Sequence, residues 1–352
     1  MDLEFTGKRI EGVLTILPEN EYFFEDEVLN PQDAKAKRLK RIIGFGRRRR
    51  VKGTTTLSDL LVYGMNHLVN ENKLDKQEIG AIVVVTLSQD YLLPQVSNII
   101  HGEFGFPDDV ICIDIAQACA GYVIGLIESF MLLEHMKDKK VLLCTGEIFN
   151  RKSVENEPKA VDPSFGGDVA NITIVGNSDK NDIIYGNIYN DGSSRENLII
   201  REGGFRNPMT AEQIEAQTTN LPFVKVSMDG SGVFNFVQQK VPSAIQQLIC
   251  RAGVAVEDIE YFLFHQPNKF MLQKLAVQLG VSYKKVPMDI TETVGNSDSG
   301  TIPTVMTEDL SEELKSKEML CCLSGFGGGL TWASLILKME KMNFCESIVS
   351  DL

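Results

Sequence analysis

Three residues have types and surroundings that could carry covalent chemistry: Cys119, His265 and Asn296. Cys119 lies in residues 114–122 (DIAQACAGY), where a strand pattern ends, small residues permit a tight turn and an apolar helix pattern begins. A cysteine at a helix N-terminus meets backbone N–H groups and the positive end of the helix dipole. Both favour the thiolate, which is the nucleophile of covalent catalysis. His265 directly follows an apolar strand pattern over 261–264, and ligand sites form at the C-terminal ends of strands in open α/β sheets. Asn296 belongs to the turn 295–303 (GNSDSGTIP). Residues 325–332 (GFGGGLTW) add a turn whose consecutive glycines let backbone N–H groups approach a ligand closely. The lysine of a phosphate loop is missing there, so a backbone donor in an oxyanion hole is the better use. Taken singly, each residue also fits a structural part: a small buried cysteine, a hydrogen-bonded histidine, a turn asparagine, a hairpin.

An internal repeat changes that balance. Thr56 opens a helix with a capping box to Asp59, and Leu57, Leu60, Leu61, Met65 and Leu68 line one face. A turn and the buried strand 81–86 follow. The order returns about 180 residues later, with a helix over 234–252, a turn at Gly253 and the strand 261–264. The next parts also correspond. Strand 110–114, the Cys119 turn, helix 122–136 and strand 141–144 match strand 286–290, the Asn296 turn, helix 302–315 and strand 319–323. Alternating strands and helices mean a largely parallel sheet with helices on both faces. Two such halves predict a pseudo-twofold α/β/α/β/α sandwich of residues 1–178 and 179–352. In it Cys119, His265 and Asn296 lie at corresponding strand ends and could converge. His67 and His135 fall in amphipathic helices and His101 on a loop, where structural parts suffice.

Composition bounds the rest. The chain has 352 residues and a net charge of −13, which argues against a general nucleic-acid binder. No apolar run reaches the roughly 18 residues of a membrane helix, and the first residues lack a signal-peptide pattern, so a cytoplasmic protein is expected. Seven cysteines without a C-x-x-C pair predict neither a disulfide framework nor a metal site. One stretch departs from the acidic background: residues 35–52 hold ten Lys/Arg and no acid. It reads either as a solvated helix face and turn or as a site for an anionic partner.

The motifs AQACAGY, HQPN, VGNSDSGTIP and GFGGGLTWASLIL, in this order and spacing, resemble those of the β-ketoacyl-acyl-carrier-protein synthase III family, over roughly 40–340 of the chain. The resemblance implies the thiolase-like fold, a Cys119–His265–Asn296 triad and an oxyanion hole from the backbone N–H groups of Cys119 and Gly328. It implies ping-pong chemistry. An acyl group passes from a thioester to Cys119, and decarboxylative condensation with a malonyl thioester follows, His265 donating through Nε2. The alternative is transfer of the acyl group to a hydroxyl or amine on the same fold. No cofactor is implied; acyl-CoA and acyl carrier protein are the expected substrates and partners. A homodimer is expected, with the Leu93 loop reaching the neighbouring acyl pocket. Several positions depart from the family. The tryptophan expected near 37–50 is absent, and residues 161–164 (VDPS) lack a basic residue found there in the family. Phe270 stands where the family has a basic carrier-docking residue. Arg47, Arg48 and Lys269 are the candidate substitutes for binding the carrier or CoA.

Overall fold

Strands β5 (Ile79–Val85) and β12 (Tyr261–Phe264) are almost wholly buried on both faces, as their continuous apolar sequences require. Each sits in the sheet of one half of a computed structural model that describes all residues except 29, 137, 150–165 and 213–225. The first sheet also contains β2 (Lys8–Pro18), β6 (Ile111–Ile115), β7 (Lys140–Glu147), β8 (Val169–Asn177) and β15 (Phe344–Ser350), in the order β15-β2-β8-β7-β5-β6. The second contains β1 (Asp2–Thr6), β9 (Ile183–Asn190), β13 (Met319–Gly327) and β14 (Thr331–Met339), in the order β1-β9-β14-β13-β12. The predicted boundary at 178/179 falls in the turn from β8 to β9. The halves nevertheless exchange their ends, because β1 pairs with β9 and β15 with β2.

Helices separate and flank the sheets. On the outer face of the first lie α3 (Leu57–Asn70) and α4 (Val96–Phe104), and on that of the second α6 (Gly230–Ala252) and α7 (Lys269–Leu279). Between the sheets lie α5 (Gly121–Leu133) and α9 (Thr301–Asp309), followed by the short α10 (Ser311–Ser316). The result is the expected five-layered sandwich. Tyr122, Leu126 and Phe130 of α5 and Ile302 and Val305 of α9 are buried in one central cluster with both sheets. Truncating such a leucine to alanine typically costs about 2–5 kcal/mol, so this layer fixes α5 and α9, and with them the two site turns.

Local signals account for the ends. The capping box of α3 forms, with the Thr56 N–H donating to Asp59 Oδ2 at 2.8 Å. Asp229 caps α6 by accepting from Ser231 and Gly232, so the helix starts four residues before the predicted Phe234 and carries Pro242 inside it. His101 lies within α4 rather than on a loop. The predicted strand 286–290 does not form; Pro287 has no N–H to give a ladder, and the short helix α8 (Ile290–Thr293) follows instead.

The basic stretch is mostly structural. Residues 35–52 contribute helix α2 (Ala34–Ile43) and strand β4 (Arg47–Arg50), which pairs with β3 (Asn20–Phe23); the short helix α1 (Phe24–Glu27) lies between β3 and α2. Arg48 is 2% exposed and donates to the Gly166 carbonyl at 3.3 Å, so it offers no surface to a carrier protein or CoA, contrary to expectation. Arg47 is held by Glu21 at 3.0 Å, and buried Arg50 stacks on the Tyr22 ring. The remaining strands, β10 (Leu198–Ile200) and β11 (Val226–Met228), pair antiparallel in a small sheet of their own, and Leu198 packs against the cluster on the second sheet. The 161–164 segment lies outside the described residues.

Candidate active site

Cys119 occupies the two-sided seam that the repeat predicts. The chain leaves β6, turns with the Gly121 N–H donating to the Ala118 carbonyl at 2.7 Å, and enters α5. The glycine strand end of β13 packs directly on this turn. A Cβ on Gly327 would lie 2.5 Å from Cys119 Cβ and 2.6 Å from its Sγ, and one on Gly325 would lie 2.7 Å from Ala120 Cα. Those glycines are therefore required by the close approach of two backbones, and no left-handed conformation is involved. The approach brings the Gly328 N–H, together with the N–H of Cys119 itself, against the sulfur.

The sulfur's nearest polar side chain is not one of the three expected. The Cys119 thiol donates to Asp298 Oδ1 at 3.1 Å. Burial, and then the Asp298 charge, push the thiol well above its ordinary range, outweighing the two amides that pull it down. The resting group is a thiol; the thiolate expected from the helix N-terminus is not favoured. Burial likewise raises Asp298 to about 6, against the opposing pull of the Cys119 hydrogen bond. Asp298 holds φ 45°, a left-handed conformation that Asp and Asn tolerate better than other side chains.

His265 extends the β12–β13 ladder, its N–H donating to the Ser324 carbonyl at 2.9 Å. The ring stands edge-on to Phe326 and is 2% exposed, and burial lowers its pKa to about 3. It is neutral at physiological pH. Its Nδ1 lies 2.9 Å from the Thr301 hydroxyl, which donates to the Asp298 carbonyl, also at 2.9 Å. A hydroxyl donates one hydrogen, so this network assigns the hydrogen of the ring to Nδ1. Nε2 then carries a lone pair, the reverse of the donor expected from the sequence. Donation from Nε2 requires the other tautomer, reached when Thr301 turns its hydrogen toward Nδ1.

Asn296 accepts the Asp298 N–H at Oδ1 at 3.0 Å, which leaves its Nδ2 amide as the end able to donate elsewhere. Its carbonyl accepts from Gly167, and Ser299 ties the same turn to the first sheet by donating to the Val85 carbonyl and accepting from Gly146. The fully buried Glu147 accepts from Thr86, Leu87 and Ser88; burial first, and the Asp298 charge second, keep it protonated far above the usual carboxylate range.

Cys119, His265 and Asp298 each bring a donor-type atom within 4.8 Å of the others, and two of these residues come from the half opposite Cys119. Sequence reasoning missed Asp298, Thr301 and Glu147. The one available signal was an acid, Asp298, inside a turn otherwise built of small neutral residues. Lys269, a candidate for carrier or CoA binding, faces Asp289 and Glu292 at 3.6 and 3.7 Å. Leu93 is 82% exposed in a loop with exposed Tyr91 and Leu92, so within one chain it lines no pocket.

Known proteins resemble this chain over most of its length. Residues 249–339 match the family described as 3-oxoacyl-[acyl-carrier-protein (ACP)] synthase III C terminal. A β-ketoacyl-[acyl-carrier-protein] synthase III of Streptococcus uberis is 30% identical across 83% of this chain and 87% of its own length. One from Lactobacillus helveticus is 28% identical over 89% of this chain and 93% of its own. The crystal structure of a 3-oxoacyl-(acyl-carrier protein) synthase from Burkholderia xenovorans superposes with a TM-score of 0.89, at 28% identity and 99% coverage of both chains. No helix among the described residues is long and apolar enough to cross a membrane. The chain belongs to the β-ketoacyl-acyl-carrier-protein synthase III family of condensing enzymes, with the thiolase-like fold.

Proposed function

We propose that this chain takes an acyl group from a CoA or carrier-protein thioester onto Cys119 and condenses it with a malonyl thioester. The observation that carries the reading is the meeting of the Cys119 sulfur, the N–H groups of Cys119 and Gly328, and the His265 and Asp298 side chains of the opposite half. Two amides aimed at the sulfur suit an oxyanion hole, because the oxygen of a thioester under attack develops its charge beside that sulfur. Asn296 then donates through Nδ2 to the malonyl thioester oxygen as carbon dioxide leaves. His265 joins it in the Nε2–H tautomer. Neither donor changes charge, and both act on charge that develops only in the transition state.

A homodimer suits the exposed Tyr91–Leu93 loop: a second copy would cover it and give Leu93 a pocket to line. The exposed cations of α2, Lys37, Arg38 and Arg41, take over from Arg47 and Arg48 as the docking face for an acidic carrier protein. The face lies close to the site, since Gly44 at the end of α2 abuts Lys269, four residues beyond His265.

Intact-mass spectrometry with a panel of acyl-CoA and acyl-carrier-protein donors tests the first step. A mass increment on the wild type that is absent from Cys119→Ala is expected; persistence in the variant rejects Cys119 as the carrier. Release of labelled carbon dioxide from a malonyl thioester tests the second step and separates condensation from acyl transfer to a hydroxyl or amine.

A further inference from the structure

We propose that Asp298 receives the Cys119 thiol proton during acyl transfer and returns it to the departing thiol. The proposal deepens the function proposed above and rests on Cys119 being the acyl carrier. Three observations carry it. The thiol hydrogen is directed at Asp298 Oδ1, 3.1 Å away. His265, the alternative acceptor, is a weak base because burial opposes its charge. Asp298 also holds a left-handed backbone conformation, fixed by the Asn296 side chain on its N–H and the Thr301 hydroxyl on its carbonyl. Backbone strain of this kind persists where the surrounding structure enforces it. Here its effect is to aim a carboxylate at a sulfur.

A carboxylate beside a cysteine disfavours the thiolate, so an enzyme using this pair must remove the proton as the sulfur attacks. As the sulfur–carbon bond forms, the S–H bond breaks and the proton moves to Oδ1. The thioester oxygen takes the negative charge and is held by the two amides. When the bond to the leaving sulfur breaks, that sulfur takes the proton from Asp298 and departs as a thiol. Asp298 is a carboxylate again, Cys119 carries the acyl group, and no other reactant is consumed. Among the described residues, the titratable groups that bear on Asp298 are Cys119, His265 and Glu147. The last two are held neutral, so the proton has one place to go.

The test is Asp298→Asn, a near-isosteric change that also tolerates positive φ. Cys119 acylation is followed by intact mass in single turnover from pH 5 to 9, and Cys119 alkylation by iodoacetamide over the same range. In the wild type the acylation rate should rise through an inflection near pH 6, the value of Asp298. In the variant that inflection should vanish and the rate at pH 7 should fall roughly 10²–10⁴-fold, the usual contribution of a positioned base. Alkylation follows the thiolate fraction and should become faster at pH 7, because loss of the neighbouring charge lowers the thiol pKa. Superimposable acylation profiles would overturn the proposal, and so would unchanged alkylation. If no donor acylates the wild type, the acyl-carrier reading fails by itself, and the alkylation comparison still decides whether Asp298 is the thiol's partner.

Discussion

Thr301 and His265 meet across 2.9 Å, with a hydroxyl on the first turn of α9 facing Nδ1 of a ring at the end of β12. Because the same hydroxyl reaches the Asp298 carbonyl, one hydrogen position selects the tautomer of His265. Thr301→Val keeps the shape of the side chain and removes the hydroxyl, so the Nε2–H tautomer that must donate is left with a buried Nδ1 lone pair and no partner. An unsatisfied buried group costs about 1–3 kcal/mol, and 1.36 kcal/mol is tenfold in rate. Decarboxylation and condensation should slow at least about tenfold, with Thr301→Ser restoring them. Cys119 acylation should change less, since the two amides remain and the Asn296 side chain still holds the Asp298 N–H. Equal loss in the serine variant would show that volume, not hydrogen bonding, matters at this position.

Gly327 and Gly328 are neighbours in sequence but not in constraint. A Cβ at Gly327 would strike the Cys119 side chain, while one at Gly328 meets only Leu198, at 3.8 Å. Gly327→Ala should therefore lower stability by about 1–3 kcal/mol, as overpacking does, and block acylation of Cys119. Gly328→Ala should fold with nearly the wild-type melting temperature. Thermal melts of the two variants side by side check the contrast; a stable, acylatable Gly327→Ala would show that the strand end can move away from the sulfur.

Periodicity and turn chemistry in the sequence were enough to find the layered fold, because α3, β5, α6 and β12 announce themselves through local patterns. Cys119 and His265 were legible for the same reason: each stands where one such pattern stops. The exchange of β1 and β15 between the halves was not, since pairing between strands so distant in sequence leaves no local trace. Asp298 escaped because an aspartate in a turn is ordinary, and only the fold brings a sulfur from the other half to it. The four consecutive arginines misled for a related reason. Charge in a sequence implies solvent, yet alternate residues of a strand face opposite sides, and Arg48 and Arg50 are the pair turned inward.

That division makes a prediction about docking. Replacing Lys37, Arg38 and Arg41 with glutamate should raise KM for an acyl-carrier-protein substrate severalfold or more, most at low salt, and leave turnover of a small acyl-thioester unchanged. Arg48→Met should instead lower the melting temperature, because it strips a hydrogen bond from Gly166, which itself forms an isolated backbone bridge to Asn296. Its KM for carrier protein should be unaffected at temperatures where it stays folded. A carrier-specific KM effect at Arg48, with stability intact, would return the docking face to β4.

The neutral ring of His265 also sets a pH dependence of stability. Its pKa falls from 6.5 in the unfolded chain to about 3 in the fold, so between those values the unfolded state binds the proton that the native ring refuses. Stability therefore declines as pH drops below about 6.5; at pH 5 the His265 contribution alone is about 2 kcal/mol. Asp298 and Glu147 act in the opposite direction, because their raised native values make the fold the better proton binder as pH falls. Comparing wild type with His265→Gln cancels those two contributions and isolates the ring. The variant should gain stability relative to wild type by about 2 kcal/mol between pH 8 and pH 5, read from denaturant melts at each pH. Parallel curves with no change in the gap would mean that the ring takes up a proton inside the fold, and the neutral-donor part assigned to it would have to be abandoned.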